Sequence, residues 1–194
     1  MQMNTTPIIL FRRLWRSDLT AFREHLLRLD PRSRHDRFAM GVGKDFLDHY
    51  AQDCFAGDNI IYGCFVDGVL RGAGELHRIQ EAAGEAEAAF SVEDEWRHNE
   101  IGTKLFSHVI RAARNRRIQK IRFSCLAHNM AMRKLAHKFS AEIEFGAGDC
   151  VGQLVPRPAT ALSLCKEAMI DTVSLGVAML DTHPQALETS DATN

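Results

Sequence analysis

Trp96-Arg97-His98-Asn99-Glu100-Ile101-Gly102-Thr103 is the stretch on which the fold turns. It stands between a strand-like run, Ala86–Val92, and a helical one. In the second run Ile101, Leu105, Val109 and Ala112 recur at i, i+4, i+8 and i+11, a single apolar stripe, with Lys104, Arg111 and Arg114 off it. A strand, a tight turn and a helix start in this order make an anion-binding junction. The first helical amides have no intrahelical acceptor, and the helix dipole favours negative charge beside them.

Outward from this junction, Ile118–Leu126 reads as a buried strand and Asn129–Phe139 as a helix with Met132, Leu135 and Phe139 inward. Upstream, Asn59–Val66 and Val69–Ile79 flank Asp67-Gly68, a two-residue hairpin turn, and Ala86–Val92 completes the meander. Ile8–Trp15 is the first strand. Ser17-Asp18 is a capping pair for a helix carrying Leu19, Phe22, Leu26 and Leu29. Pro31–Arg34 reads as a basic turn and Lys44–Phe55 as a short helix. Ala141–Phe145 and Cys150–Val155 form a last hairpin. Thr160–Leu180 is helical, with Leu164/Cys165, Ala168/Met169, Val173, Val177 and Leu180 as its apolar pattern. Hairpins leading into one β-α-β crossover predict an α/β chain of the α+β type. Its central sheet is mixed and mainly antiparallel, with helices on both faces and an extra C-terminal helix. The expected division is 1–157 for the domain, 158–187 for the helical extension and 188–194 for a polar tail.

Val92, Arg97-x-x-Glu100-x-Gly102 and Leu105 together resemble the (Gln/Arg)-x-x-Gly-x-(Gly/Ala) pyrophosphate loop of the GNAT superfamily of acyl-CoA N-acyltransferases. Asn129-x-x-Met132-x-x-Leu135-x-x-Lys138-Phe139 is similar to the helix that follows the next strand in that superfamily. Leu29–Phe38 and Glu87-Ala88-Ala89-Phe90 resemble segments of the acetyltransferase domains of bacterial protein-lysine acetyltransferases. The resemblance covers about Ile8 to Val155 and implies a GNAT-like sheet. It also implies acetyl-CoA as co-substrate and an amine acceptor, on a small molecule or a protein lysine. Arg97, His98, Asn99, Glu100, Ile101, Gly102 and Thr103 would present amides to the pyrophosphate. Glu87 would take the proton of the amine, and a main-chain amide near Ser91-Val92 would meet the oxyanion. Asn129 would contact the cofactor, and as an Asn at a helix start it serves equally as an N-cap. Two positions depart from the pattern. Glu100 replaces the first loop glycine, so its carboxylate must turn away or compete for the amides. Ala136 stands where the superfamily often has a tyrosine acid, leaving Tyr50 and Tyr62 as the only phenols. These departures motivate an alternative, a non-catalytic acyl-CoA-binding or regulatory domain.

Net charge over the 194 residues is −1, which argues against a chain built to coat nucleic acid or anionic membrane. The balance is uneven. Residues 95–138 hold eleven Lys/Arg against Glu95 and Glu100, +9 locally and −10 over the remainder. That basic stretch lacks the interleaved aromatics of a nucleic-acid groove and suits an anionic cofactor. No apolar run approaches a membrane span, and Met1–Pro7 lacks a signal core, so the expected location is the cytoplasm. The five cysteines are scattered without a CxxC pair and read as reduced thiols, and the nine histidines show no ligand pair, so no metal is expected. The stripe of the last helix fits its own domain or a partner subunit, the second of which would make a homodimer.

Overall fold

A computed structural model describes residues 6–181. Its strands are β1 (Ile9–Arg13), β2 (Ile60–Val66), β3 (Val69–Arg78), β4 (Glu85–Val92), β5 (Lys120–Leu126), β6 (Glu142–Phe145) and β7 (Asp149–Leu154). They form one sheet in the order β1-β2-β3-β4-β5-β7-β6. Every neighbouring pair is antiparallel except β4–β5. Asp67 and Gly68 both have positive φ, +48° and +80°, the two left-handed positions that let a two-residue loop follow the strand twist. Residues of β2 are buried on both sides, so its sequence runs apolar without alternation.

Helices α1 (Leu19–Arg28), α2 (Pro31–Phe38) and α3 (Lys44–Ala56) cover one face, where Phe22, Leu26 and Leu47 meet Leu70 and Ala73. On the other face lie α4 (Ile101–Asn115), α5 (Met130–Lys138) and α6 (Ala161–Asp181). The predicted stripe of α4 is buried throughout at Ile101, Leu105, Val109 and Ala112, against Leu76, Ala86, Ala88 and Ile121. Gly152 lets the β7 backbone lie against the Phe123 ring; a Cβ there would come within 2.0 Å of it.

Several sequence expectations are corrected. Pro31–Arg34 is not a turn but the start of α2. Pro31 takes the first helical position, and the Asp30 carboxylate accepts the Ser33 N–H at 3.0 Å. Only Ser33 of that helix is buried, so no apolar period announced it. Asp18 does not cap α1. Its carboxylate accepts from the buried Arg12 guanidinium at 2.6 and 2.8 Å and from the Trp15 N–H at 2.8 Å. Cys125 and Cys150 are not free thiols. They face each other across β5 and β7 with Cα atoms 5.3 Å apart and form a disulfide, leaving Cys54, Cys64 and Cys165 free. Twenty-five residues separate the pair in sequence, and only strand register brings it together. The last helix turns much of its apolar pattern outward: Leu164, Cys165, Ala168, Met169 and Val173 are exposed. The expected tail at 188–194 lies outside the described residues.

Candidate functional site

Strands β4 and β5 pair only at Glu85–Glu87 with Lys120–Arg122. Beyond that point β4 keeps β3 as its partner up to Val92, while β5 keeps β7 up to Leu126. The two parallel strands therefore part at Ala88 and Phe123, and a gap opens in the middle of the sheet. Glu85 closes its foot, with a carboxylate bridging Lys120 at 3.3 Å and Arg122 at 2.6 Å. At the head, β4 runs into the Trp96–Thr103 junction and β5 into the start of α5. Ligands of open α/β sheets bind at the carboxyl ends of parallel strands, where connections diverge.

The junction holds two left-handed residues, His98 (φ +66°) and Glu100 (φ +59°). That backbone explains why a glycine suits position 100, and an L-residue there costs roughly 1–2 kcal/mol. Glu100 forms no side-chain cap on α4. Its carboxylate turns instead toward Lys138 on α5, 3.8 Å away, so it does not occupy the amides. The first intrahelical bond is Lys104 N–H to Glu100 C=O, which leaves the amides of Ile101, Gly102 and Thr103 without helical acceptors. A Cβ on Gly102 would meet only Leu135, at 3.8 Å. Lys138 also donates to Thr103 Oγ1 at 3.4 Å. Arg97 is drawn sideways, to Ser33 Oγ at 2.7 Å and Asp94 at 3.2 Å, while Asn99 bonds the carbonyls of Trp96 and Arg97 at 3.3 Å. Asn129 caps α5, accepting the Met132 N–H at 3.0 Å.

Glu87 is exposed on β4, on the side opposite Ala86 and Ala88, with His77 and Arg122 as its cross-strand neighbours. The structure thus brings the loop residues, Asn129 and the upper half of β4 to one end of the gap. Glu87 stands at the gap's foot, where pairing ends. Ser91 points into the core, and its Oγ–H donates to His25 Nε2 at 2.9 Å; Val92 is half-buried on the α4 side.

Two buried networks on the α1–α3 face escaped the sequence reading. In the first, Glu75 on β3 is fully buried and takes four partners. Arg37 pairs with Oε1 at 2.9 Å, while Tyr50 O–H at 2.5 Å, His77 at 3.0 Å and Cys54 at 3.6 Å reach Oε2. Burial alone pushes this carboxyl up, but the Arg37 charge and the bonds from His77 and Tyr50 more than reverse it and hold it far below the usual range. Burial and the nearby Glu75 charge push the Tyr50 phenol well up. Burial and Glu167 do the same to Tyr62, whose O–H donates to Glu167 at 3.3 Å. Both phenols are thus committed as neutral donors. Cys54, Glu75 and His77 come within 4.8 Å of one another, a spacing that suits a metal. Arg37 already supplies the cation, so the trio is a charge-paired cluster. In the second network, His25 Nδ1–H donates to Glu93 at 3.1 Å, and Arg28 and Arg71 reach the same carboxylate at 2.9 and 2.7 Å. Against burial, those bonds hold Glu93 down to about 2. Strand alternation puts Glu75 on the face covered by α1–α3, and Glu93 follows the end of β4, but sequence alone does not identify their partners.

Part of the positive charge of residues 95–138 is paired in the fold. Arg116 pairs with Glu167, Lys120 and Arg122 with Glu85, and Arg97 with Asp94. Those three carboxylates offset only part of the +9 of the stretch.

Comparisons with known proteins agree with this fold. The sequence profile of the acetyltransferase (GNAT) family matches residues 19–140. The GNAT domain of S. lividans PAT shares the fold with a TM-score of 0.65 at 18% identity, over 77% of this chain and 96% of that one. A ribosomal-protein-alanine N-acetyltransferase from Brucella melitensis gives 0.61 at 16% identity, over 75% and 99%. The paia N-acetyltransferase from Thermoplasma acidophilum, solved in complex with coenzyme A, gives 0.58 at 20% identity, over 76% and 99%. A comparison with curated proteins gives no match.

Proposed function

The chain belongs to the GNAT family of acetyltransferases, and on that footing we propose that it moves an acetyl group from acetyl-CoA to a primary amine by direct attack in a ternary complex. The observation that carries this reading is the parting of β4 and β5 beneath an uncapped helix start. The relative from Thermoplasma acidophilum, solved with coenzyme A, supports acetyl-CoA as the donor.

In this reading the amides of His98 to Thr103 hold the pyrophosphate, the Arg97 N–H being spent on the Asp94 carbonyl at 3.1 Å, and the pantetheine arm enters the gap between β4 and β5. Asn129, whose Oδ1 is spent on its cap, has an amide N–H₂ left for the cofactor. An ammonium has no lone pair, so the acceptor must lose a proton before it attacks. Glu87 accepts that proton, directly or through one water. The amine nitrogen then bonds to the thioester carbon, and a main-chain N–H near Ser91-Val92 donates to the oxyanion. Collapse breaks the carbon–sulfur bond, and the proton that the attacking nitrogen sheds as it becomes the amide passes through water to the departing CoA thiolate. No phenol is assigned as acid, because Ala136 is buried at the family's tyrosine position and both tyrosine hydroxyls are engaged. That same observation favours the second reading, a domain that binds acyl-CoA without turnover. The acceptor is a protein lysine or a small-molecule amine.

Calorimetric titration tests the donor site. Saturable binding of acetyl-CoA supports it, and no heat at near-millimolar ligand refutes both readings. Replacing Glu100 with Gly removes a left-handed side chain and a carboxylate near the proposed phosphates. Acetyl-CoA affinity is then expected to rise about two- to fivefold, with a small gain in thermal stability. Unchanged or weaker binding in Glu100→Gly contradicts a pyrophosphate at this helix start.

A further inference from the structure

Helix α6 is docked by its polar side. Ser163 Oγ donates to Asn115 Oδ1 at 2.6 Å. Glu167 accepts from Asn115, Arg116 and Tyr62. Asp171 pairs with Arg13 at 2.8 Å, and Ser174 Oγ accepts the Arg13 N–H at 3.0 Å. Ser163, Glu167 and Ser174 are buried. These bonds fix the rotation of the helix, so it cannot roll its apolar side chains inward without breaking them. What it turns to solvent is apolar: Leu162 (66% exposed), Leu164, Met169 (70%), Val173 (60%), Leu175 and Met179.

The surface continues onto β1, where Leu10 is also exposed. A groove of about 220 Å³ joins the two elements, lined by Leu10, Phe11, Met169, Val173 and Val177 among others. A large aliphatic side chain presents on the order of 100 Å². The six residues of α6 with Leu10 therefore present on the order of 700 Å², close to the ~800 Å² per partner of a standard interface and above the few hundred Å² common on monomers. The outer ridge of α6 is small, with Cys165, Thr172 and Gly176, and a Cβ on Gly176 would meet nothing. A helix with a low ridge between two apolar flanks packs closely on another helix.

We infer that the α6–β1 face is a two-fold interface with a second copy of this chain. Three observations favour a second copy. Lys166 is the one exposed charged side chain described between Ala161 and Met179, so apposing two copies sets few like charges together. The area matches what an isologous dimer needs. Residues 182–194 carry a single large aliphatic side chain, Leu187, too little by themselves to cover the face.

The test is sedimentation of the full chain at about 50 µM, where a stable dimer stays associated. Wild type is expected at twice 21.8 kDa. The double variant Met169→Glu/Val173→Glu alters exposed side chains only. It is expected to sediment as one chain, with dimer affinity at least ~100-fold weaker because two charges would have to be desolvated. Its circular dichroism, melting temperature at low protein concentration and acetyl-CoA binding should match wild type. A wild-type mass of 21.8 kDa overturns the inference. So does a doubled mass that survives in the variant. A single-chain wild type whose α6 face binds a hydrophobic dye only after deletion of residues 182–194 assigns the face to the chain's own tail.

Discussion

Glu87→Gln is expected to lose between ~10²- and ~10⁴-fold in turnover while binding acetyl-CoA as wild type does. The side chain is exposed, and among the described residues none makes a hydrogen bond or ion pair with its carboxylate. Glutamine preserves shape, so folding and cofactor binding should not change. The carboxylate stands where the β4–β5 pairing ends, on the face away from α4. On the proposed mechanism, a proton acceptor there would meet an amine arriving from the α1–α3 side without blocking the gap. The loss should fall on kcat and be partly recovered at high pH, where more of the amine is already neutral. Full activity in Glu87→Gln removes the residue from the mechanism. Loss of acetyl-CoA binding in parallel would instead make it a cofactor ligand.

The second large effect is on stability. Glu75→Ala leaves the Arg37 guanidinium largely buried without its counter-charge and strips an acceptor from Tyr50, His77 and Cys54. Breaking a buried pair from one side costs about 3–5 kcal/mol, or roughly 6–20 °C in melting temperature for a domain of this size. Arg37→Met should cost a similar amount, and the double replacement less than the sum, because the second change removes an orphaned charge. Additive losses would show that the pair is not coupled. The same residues set the acid response. Glu75 and Glu93 have folded values below the unfolded one near 4.5. Their contribution is therefore present above about pH 4.5 and fades as pH falls, for Glu93 toward about 2. His25 and His108 act earlier. Burial lowers both, His108 to about 4, so the unfolded chain takes up protons that the folded one refuses once pH drops below about 6.5. Melting temperature should decline gently below pH 6.5 and steeply below 4.5. The steep limb should be shallower in Glu75→Ala, and a profile flat to pH 3 contradicts these assignments.

The sheet and α4 were legible because local signals agreed with the global fold. Asp67-Gly68 demands a hairpin, the four-residue stripe of α4 demands one buried face, and the crossover demands a parallel pair. Helix α2 was not legible, since a Pro-led, polar octet buries a single serine and is held by its cap and tertiary bonds. The disulfide was hidden because cross-strand register is a long-range fact. Glu100 shows a limit of motif reading. The motif marked it as an intrusion, and the backbone gives its terms, a left-handed φ and an escape toward Lys138. The networks of Glu75 and Glu93 were beyond reach because, His77 apart, their partners come from α1, α2, α3 and a neighbouring strand, 21 or more residues away in sequence.

Initial-rate kinetics with acetyl-CoA and a panel of primary amines, lysine peptides included, is the most direct test of direct transfer. CoA release should require both substrates, saturate in each and give intersecting double-reciprocal lines, as a ternary complex does. Parallel lines, or tight acetyl-CoA binding without amine-dependent CoA release, would contradict it.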